Sequence, residues 1–291
     1  MAKTKTSKTK SKKSRKRRVH INWSMLWQNS LTFLIAQIIA LLAGIVIMKS
    51  EIYTAVSTVQ VPWYYFVTSF LIVTLFIVLA IKFLKGGKFF ILMFYLVIVL
   101  GTYAIFSAFM AVEVAMALSL VVLILRITTP RIWTHNLAIL LGLARISASI
   151  GLDLKPLGVV IILIILSIYD YIAVYKTKTM VKMFKGLLER GVIFSIIIPQ
   201  HVRNWFVDLK KVKPREGFMF LGTGDIALPM IFAVSAITIS IYSSIAIIIG
   251  ALIGVMFINI SFAYQKKKAA MPALPPIAFF SILAYLISLY L

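Results

Sequence analysis

Residues 156–175 read PLGVVIILIILSIYDYIAVY, an apolar run whose one charged side chain is Asp170. An α-helix needs about 20 mostly apolar residues to cross the ~30 Å hydrocarbon core of a bilayer, so this stretch predicts a transmembrane helix. A carboxylate inside such a helix costs several kcal/mol unless it is paired or hydrated, and it therefore marks a candidate functional residue.

The whole chain has the same apolar character. Of its 291 residues, 62% are hydrophobic and 13% are charged, whereas about half of a soluble domain is apolar. Nine runs are long enough to span a membrane: 25–48, 63–84, 89–110, 112–126, 132–151, 156–175, 217–240, 242–264 and 272–291. Because these runs are continuously apolar rather than alternating, they favour helices over a membrane β-barrel. The sequence thus predicts an all-α, multi-pass protein of the cell membrane with nine transmembrane helices.

Basic residues indicate the orientation of these helices. If the spans alternate, 28 of the 31 Lys and Arg residues fall on one side, and such loops remain in the cytoplasm. The N-terminus is therefore expected inside and the C-terminus outside. We divide the chain into a basic, disordered leader that contacts anionic lipid rather than nucleic acid, helices one to six, a cytoplasmic loop, and helices seven to nine: 1–24, 25–175, 176–216 and 217–291.

A second carboxylate lies inside a predicted span. Asp225 is about eight residues from the cytoplasmic end of span seven, and Asp170 is about six residues from that end of span six. At ~1.5 Å per residue the two depths agree within ~3 Å, so the side chains can face each other on antiparallel helices. Two neighbouring carboxyl groups share a proton, as they do in an aspartic protease that activates water for peptide hydrolysis.

Glycines and prolines flank the same depth of the membrane. Asp225 ends the sequence Leu221-Gly222-Thr223-Gly224-Asp225, in which the glycines are expected to loosen the helix. The last span opens with PALPP at residues 272–276, where the prolines disfavour a clean helix start. All of these features therefore converge on the cytoplasmic third of the membrane.

The order of these motifs, YD on one helix, GxGD on the next and PAL on the last, resembles the signature of the presenilin and signal peptide peptidase family of intramembrane aspartyl proteases. The sequence is most similar in layout to an archaeal-type presenilin homologue. The resemblance implies a presenilin-like nine-helix fold, cleavage of transmembrane helices, and catalysis by Asp170 and Asp225. It also implies that residues of the motifs line the substrate cleft: Tyr169, Gly222, Gly224, Pro272, Ala273 and Leu274.

Two other functions remain open from the sequence. A secondary transporter or channel also uses intramembrane carboxylates and broken helices, and the prepilin or preflagellin peptidases are another GxGD group. The chain has no cysteine and its three histidines are far apart, so we expect no metal ion and no cofactor. The expected partners are transmembrane or signal-peptide substrates and membrane lipid, without an accessory subunit and with homo-oligomerisation left open.

The loop before span seven offers partners for a bound substrate. A peptide segment that unwinds inside lipid must find hydrogen-bond partners in the protein. We expect residues 191–199 or 213–220 to pair with it as a strand, the first of these being too short to cross the membrane.

Overall fold

The structure is a computed structural model that describes residues 23–50, 61–83, 87–177, 179–213, 217–265 and 271–290. Most of the predicted leader (1–24) lies outside these residues. In the described ranges the chain forms ten α-helices: α1 (Trp23–Met48), α2 (Trp63–Phe83), α3 (Lys88–Phe106), α4 (Val112–Thr128), α5 (Ile132–Asp153), α6 (Pro156–Tyr171), α7 (Thr179–Glu189), α8 (Thr223–Ala236), α9 (Ile241–Tyr264) and α10 (Leu274–Ser288). A π-helical turn, Ile172–Lys176, continues α6.

Each predicted span overlaps one of the described helices. Six of these helices are long and apolar enough to cross a membrane: α1, α2, α3, α5, α6 with its π turn, and α9. Two others, α8 and α10, are apolar but have only 14 and 15 residues. The fold is therefore mostly helical, as predicted, with six helices that qualify as spans by length and composition.

Within the described residues the helical fold is interrupted by one small antiparallel sheet, in the region where the sequence left a strand open. Strand β1 (Ser195–Pro199) pairs with strand β2 (Phe218–Gly222), and Ser195 lies opposite Gly222. The predicted span 217–240 consequently begins as a strand, and its helix starts only at Thr223. A five-residue apolar run fits a strand or a helix equally well, so its pattern alone does not distinguish the two conformations.

Helix α8 occupies the centre of the protein. It contacts α1, α5, α6, α9 and α10, and every residue from Leu228 to Ala236 is buried. By contrast, α2 has one buried side chain, Ala80, and nine of its large apolar or aromatic residues are exposed. Exposed apolar surface on this scale suits lipid rather than water, so α8 is enclosed by other helices whereas α2 lies at the lipid-facing periphery.

Candidate active site

Asp170 lies in the last turn of α6, directly before the helix widens into its π turn. The side chain is buried, with 6% of its surface exposed. π turns within helices occur frequently at functional sites, where they change the direction of the side chains that follow. The apolar repeat of α6 therefore carries a single carboxyl group into the protein interior at the end of the regular helix.

Asp225 lies in the first turn of α8, nearer to the helix start than the sequence predicted. Strand β2 ends at Gly222, which is the N-cap of α8 in an extended conformation. The backbone of Gly222 lies against the Asp225 carboxyl group, and its N–H interacts favourably with the carboxylate. Asp225 is 8% exposed, so the strand-to-helix turn holds it in a buried position.

The two carboxyl groups belong to one electrostatic site. Helices α6 and α8 contact each other, and the charge of Asp170 acts on Asp225. Burial strengthens this interaction because water screens it less than at a surface. Asp170 and Asp225 thus lie on two helices that contact each other, close enough for their charges to interact.

The PAL motif reaches the same site through its backbone. The N–H of Leu274 donates a hydrogen bond to Oδ2 of Asp170 at 3.3 Å, and the N–H of Ala273 also interacts with this carboxyl group. Donors at the start of a helix have no partner within the helix, and Pro275 and Pro276 lack an N–H. The start of α10 is thus left free to direct its remaining donors at Asp170, and Pro272, Ala273 and Leu274 are all buried beside it.

The two glycines of GxGD have different surroundings. A Cβ atom placed on Gly222 would lie 2.9 Å from Oδ2 of Asp225, whereas one placed on Gly224 would meet no atom within 4 Å. The expectation that the glycines loosen a helix is wrong for Gly222, which ends a strand, whereas Gly224 lies in the first helical turn. Gly222 leaves room for the Asp225 carboxyl group, and Gly224 borders open space.

Tyr169 takes a different direction from its neighbour Asp170. Its ring packs edge-to-face against Phe70 of α2, with centroids 5.8 Å apart and an interplanar angle of 88°. The side chain is partly buried. The structure therefore places Tyr169 at the junction of α6 with the lipid-facing helix α2.

Two residues of α5 that the sequence analysis did not single out for this site contact β1. Asn136 forms two hydrogen bonds with the backbone of Ile197, and Nε2 of His135 lies 3.1 Å from the carbonyl oxygen of Ser195. Both side chains are buried. These contacts join residues about 60 positions apart, and adjacent polar residues at the start of a span gave no local signal of them.

The chain is similar to known proteins in both sequence and fold. The family model described as "Signal-peptide peptidase, presenilin aspartyl protease" matches residues 30–291. Two crystal structures of a presenilin family intramembrane aspartate protease, in space groups P2 and C222, superpose with TM-scores of 0.64 and 0.62 at 21% identity. They cover 94% and 91% of this chain, and 99% and 98% of their own chains. No curated protein matches the sequence.

The chain belongs to the signal peptide peptidase and presenilin family of aspartyl proteases. It is therefore a multi-pass integral membrane protein and an intramembrane aspartic endopeptidase. The family decides among the three functions that the sequence left open, in favour of the protease over a transporter and over a prepilin-type peptidase. The shared fold extends over nearly the whole length of the two related crystal structures.

Proposed function

We propose that Asp170 and Asp225 are the catalytic pair of this protease. The observation that carries the proposal is the meeting of three distant segments at one buried point: the end of α6, the start of α8 and the start of α10. Asp170 is hydrogen-bonded to Leu274 and interacts electrostatically with Asp225. Buried carboxyl groups with specific charge partners are typical of functional sites.

The pair suits the hydrolysis of a peptide bond by an activated water. One carboxylate accepts a proton from the water as the oxygen attacks the scissile carbonyl carbon, and the other, protonated, donates a hydrogen bond to the carbonyl oxygen. Collapse of the tetrahedral intermediate breaks the C–N bond, and the amine leaves with a proton from the pair. Each cycle consumes one water and returns the shared proton, so the step balances without a metal ion or cofactor.

The proposed topology has nine transmembrane segments, with the N-terminus in the cytoplasm. Helix α8 is about 21 Å long at ~1.5 Å per residue, which is short of the ~30 Å hydrocarbon core. Strand β2 directly precedes it and adds roughly 16 Å of extended chain. Non-helical backbone is tolerated at membrane depth where protein or a water-filled cavity surrounds it, which supports a hydrated cleft at the cytoplasmic ends of α8 and α10.

We place the unwound substrate along β2. Both edges of β1 are occupied, one by β2 and the other by side chains of α5. In the described part of the chain the sheet has two strands, so the outer edge of β2 is without a strand partner. An extended substrate on this edge would lie next to Gly222 and Asp225 and would satisfy its backbone there. Of the two predicted segments, 213–220 is thus favoured over 191–199, although residues 214–216 lie outside the described part.

The open space at Gly224 and the buried PAL segment complete the proposed cleft. Gly224 allows a substrate backbone to approach the first turn of α8. Pro272, Ala273 and Leu274 form the opposite wall beside Asp170, and Tyr169 lies toward α2. The proposed substrates are transmembrane segments and signal peptides, and the protein is proposed to act without an accessory subunit.

Cleavage in reconstituted vesicles tests the assignment. Purified wild type, Asp170→Ala, Asp225→Ala and a control, Asp153→Ala, are incubated with a helical membrane substrate. Asp153 is the last residue of α5 and its side chain is exposed, so it controls for the loss of a carboxylate at the membrane. We expect cleavage by the wild type and the control and none by the other two variants. Activity in either Asp170→Ala or Asp225→Ala would refute the assignment.

A further inference from the structure

On the edge that faces away from β2, the backbone of strand β1 is hydrogen-bonded to side chains. Asn136 at the start of α5 donates from Nδ2 to the Ile197 carbonyl oxygen at 2.8 Å, and its Oδ1 accepts from the Ile197 N–H at 3.0 Å. The paired bonds reproduce what a residue of a neighbouring antiparallel strand would make. A single side chain therefore takes the place of a strand residue at the centre of β1.

His135 extends the same edge. Its Nε2 donates to the carbonyl oxygen of Ser195 at 3.1 Å. Residues 195 and 197 are two apart, so their backbone groups point to the same side of the strand, and those of residues 196 and 198 point to β2. Helix α5 thus supplies what a third strand would supply, and it does so with two consecutive side chains.

A short sheet needs such support. An isolated two-stranded pair is marginally stable, and each strand here has five residues. Both α5 side chains are almost fully buried, with 2% of Asn136 and none of His135 exposed. A buried amide is destabilising unless its hydrogen bonds are made, and Asn136 makes them to the strand, so strand position and side-chain position fix each other.

The sheet in turn holds the proposed catalytic pair. Ser195 lies opposite Gly222, and Gly222 lies against the carboxyl group of Asp225, whose Oδ2 is 2.9 Å from the position that a Cβ atom on Gly222 would take. A movement of β1 reaches Asp225 through one cross-strand pair and through this close contact. Slippage of β1 by one residue would reverse the faces of that strand and end the pairing that holds Gly222 against the carboxyl group, where a Cβ atom would lie 2.9 Å from Oδ2.

We propose that Asn136, assisted by His135, is a positioning residue of this protease, which holds β1 in the register that places Asp225 for reaction. The inference rests on the proposed role of Asp225. It adds that the start of α5, which bonds to β1 and not to either carboxyl group in the described residues, sets the geometry of the pair. Loss of Asn136 is expected to slow the chemical step rather than weaken substrate binding.

The register can be measured without reference to activity, because the chain contains no cysteine. Ile197 and Phe220 are opposite each other in the register, and opposed residues that are not bonded to each other have Cα atoms about 4.5 Å apart, within reach of a disulfide. The double variant Ile197→Cys with Phe220→Cys is oxidised in vesicles, alone and with Asn136→Ala. A matched control is Asn259→Ala, which removes another buried asparagine. The side chain of Asn259 is hydrogen-bonded to Asn29 of α1 and not to the sheet.

We expect Asn136→Ala to slow disulfide formation and, in the cysteine-free protein, to lower kcat by roughly ten- to hundredfold with KM changed less than about twofold. Asn136→Asp keeps the acceptor for the Ile197 N–H, and it should fall between the wild type and Asn136→Ala in both measurements. If Asn136→Ala fails to fold, the two measurements are compared between Asn136→Asp and the wild type. Asn259→Ala should cross-link as fast as its parent.

Two outcomes would overturn the proposal. Unchanged cross-linking in the Asn136 variants would show that the side chain does not hold the strand. Slowed cross-linking with an unchanged kcat would show that the strand does not hold the reacting groups. Failure of the proposed function would be recognised separately, since Asp225→Asn would then still cleave the substrate whatever the cross-linking rates.

Discussion

Substitution of Gly222 by alanine should impair catalysis while leaving the fold intact. The added Cβ atom would lie 2.9 Å from Oδ2 of Asp225, whereas ordinary contacts begin at 3.4 Å, so one of the two groups must move. The carboxyl group would be displaced by about 0.5 Å, which is the tolerance within which catalytic groups must be held. Since a misplacement of about 1 Å can reduce rates by roughly 100-fold, we expect kcat to fall by about tenfold.

The backbone at Gly222 gives no reason for a loss of stability. Its φ of −61° and ψ of 142° are open to alanine, and the change at an N-cap position should alter the free energy of unfolding by less than about 1 kcal/mol. Gly224→Ala is the informative comparison, because its Cβ atom meets no protein atom within 4 Å. Its added methyl group should act on bound substrate, and thus on KM or the cleavage position, more than on kcat.

Steady-state cleavage in vesicles, with thermal unfolding measured on the same samples, separates these effects. The expected pattern is a reduced kcat and an unchanged unfolding temperature for Gly222→Ala. A wild-type kcat in this variant would refute the reasoning, because it would show that the crowded carboxyl group is not one that reacts.

Three further outcomes follow from the structure. Asp170→Asn and Asp225→Asn should unfold at the same temperature as the wild type or higher, because each removes one of two carboxyl groups that repel each other; a large decrease in a thermal melt would show that the acids are structural. The pH–rate profile should be bell-shaped, since activity requires one shared proton and is lost at low pH when both groups are protonated and at high pH when both are ionised; a monotonic profile with chemistry rate-limiting would contradict this. Gly254→Ala should destabilise the protein by roughly 1–3 kcal/mol, because its Cβ atom would lie 2.6 Å from the Cα atom of Ile277 in α10. The control is Ile253→Ala, at a lipid-facing position that is 47% exposed. Equal unfolding curves for the two variants would contradict the packing argument.

Asp170, Asp225 and the PAL segment could be predicted as one site from the sequence. An acid inside an apolar run is rare because a charged side chain is costly inside the bilayer. Counting residues from the membrane edge gives its depth. Ser195–Pro199 forms a strand within the segment 191–199 that the sequence offered for pairing with substrate, and its partner in the structure is β2. These predictions depend on local composition and on helix geometry, which the chain displays directly.

The start of α8 and the role of α5 could not be predicted in the same way. Residues 218–222 are as apolar as the helix that follows, and their strand conformation depends on pairing with β1, about twenty positions earlier. The hydrogen bonds of Asn136 join segments 61 positions apart. Such contacts are set by how the helices pack, so a single sequence carries no periodic pattern from which to infer them.

Hydrolysis in ¹⁸O-labelled water tests the central claim most directly. Vesicles that contain the wild type, Asp170→Ala or Asp225→Ala are supplied with a transmembrane substrate, and the products are weighed by mass spectrometry. The account predicts wild-type products cut within the membrane segment, with one ¹⁸O in each new carboxyl terminus, and no products from either variant. Cleavage by a variant that lacks one aspartate, or new termini without the label, would contradict a water activated by Asp170 and Asp225.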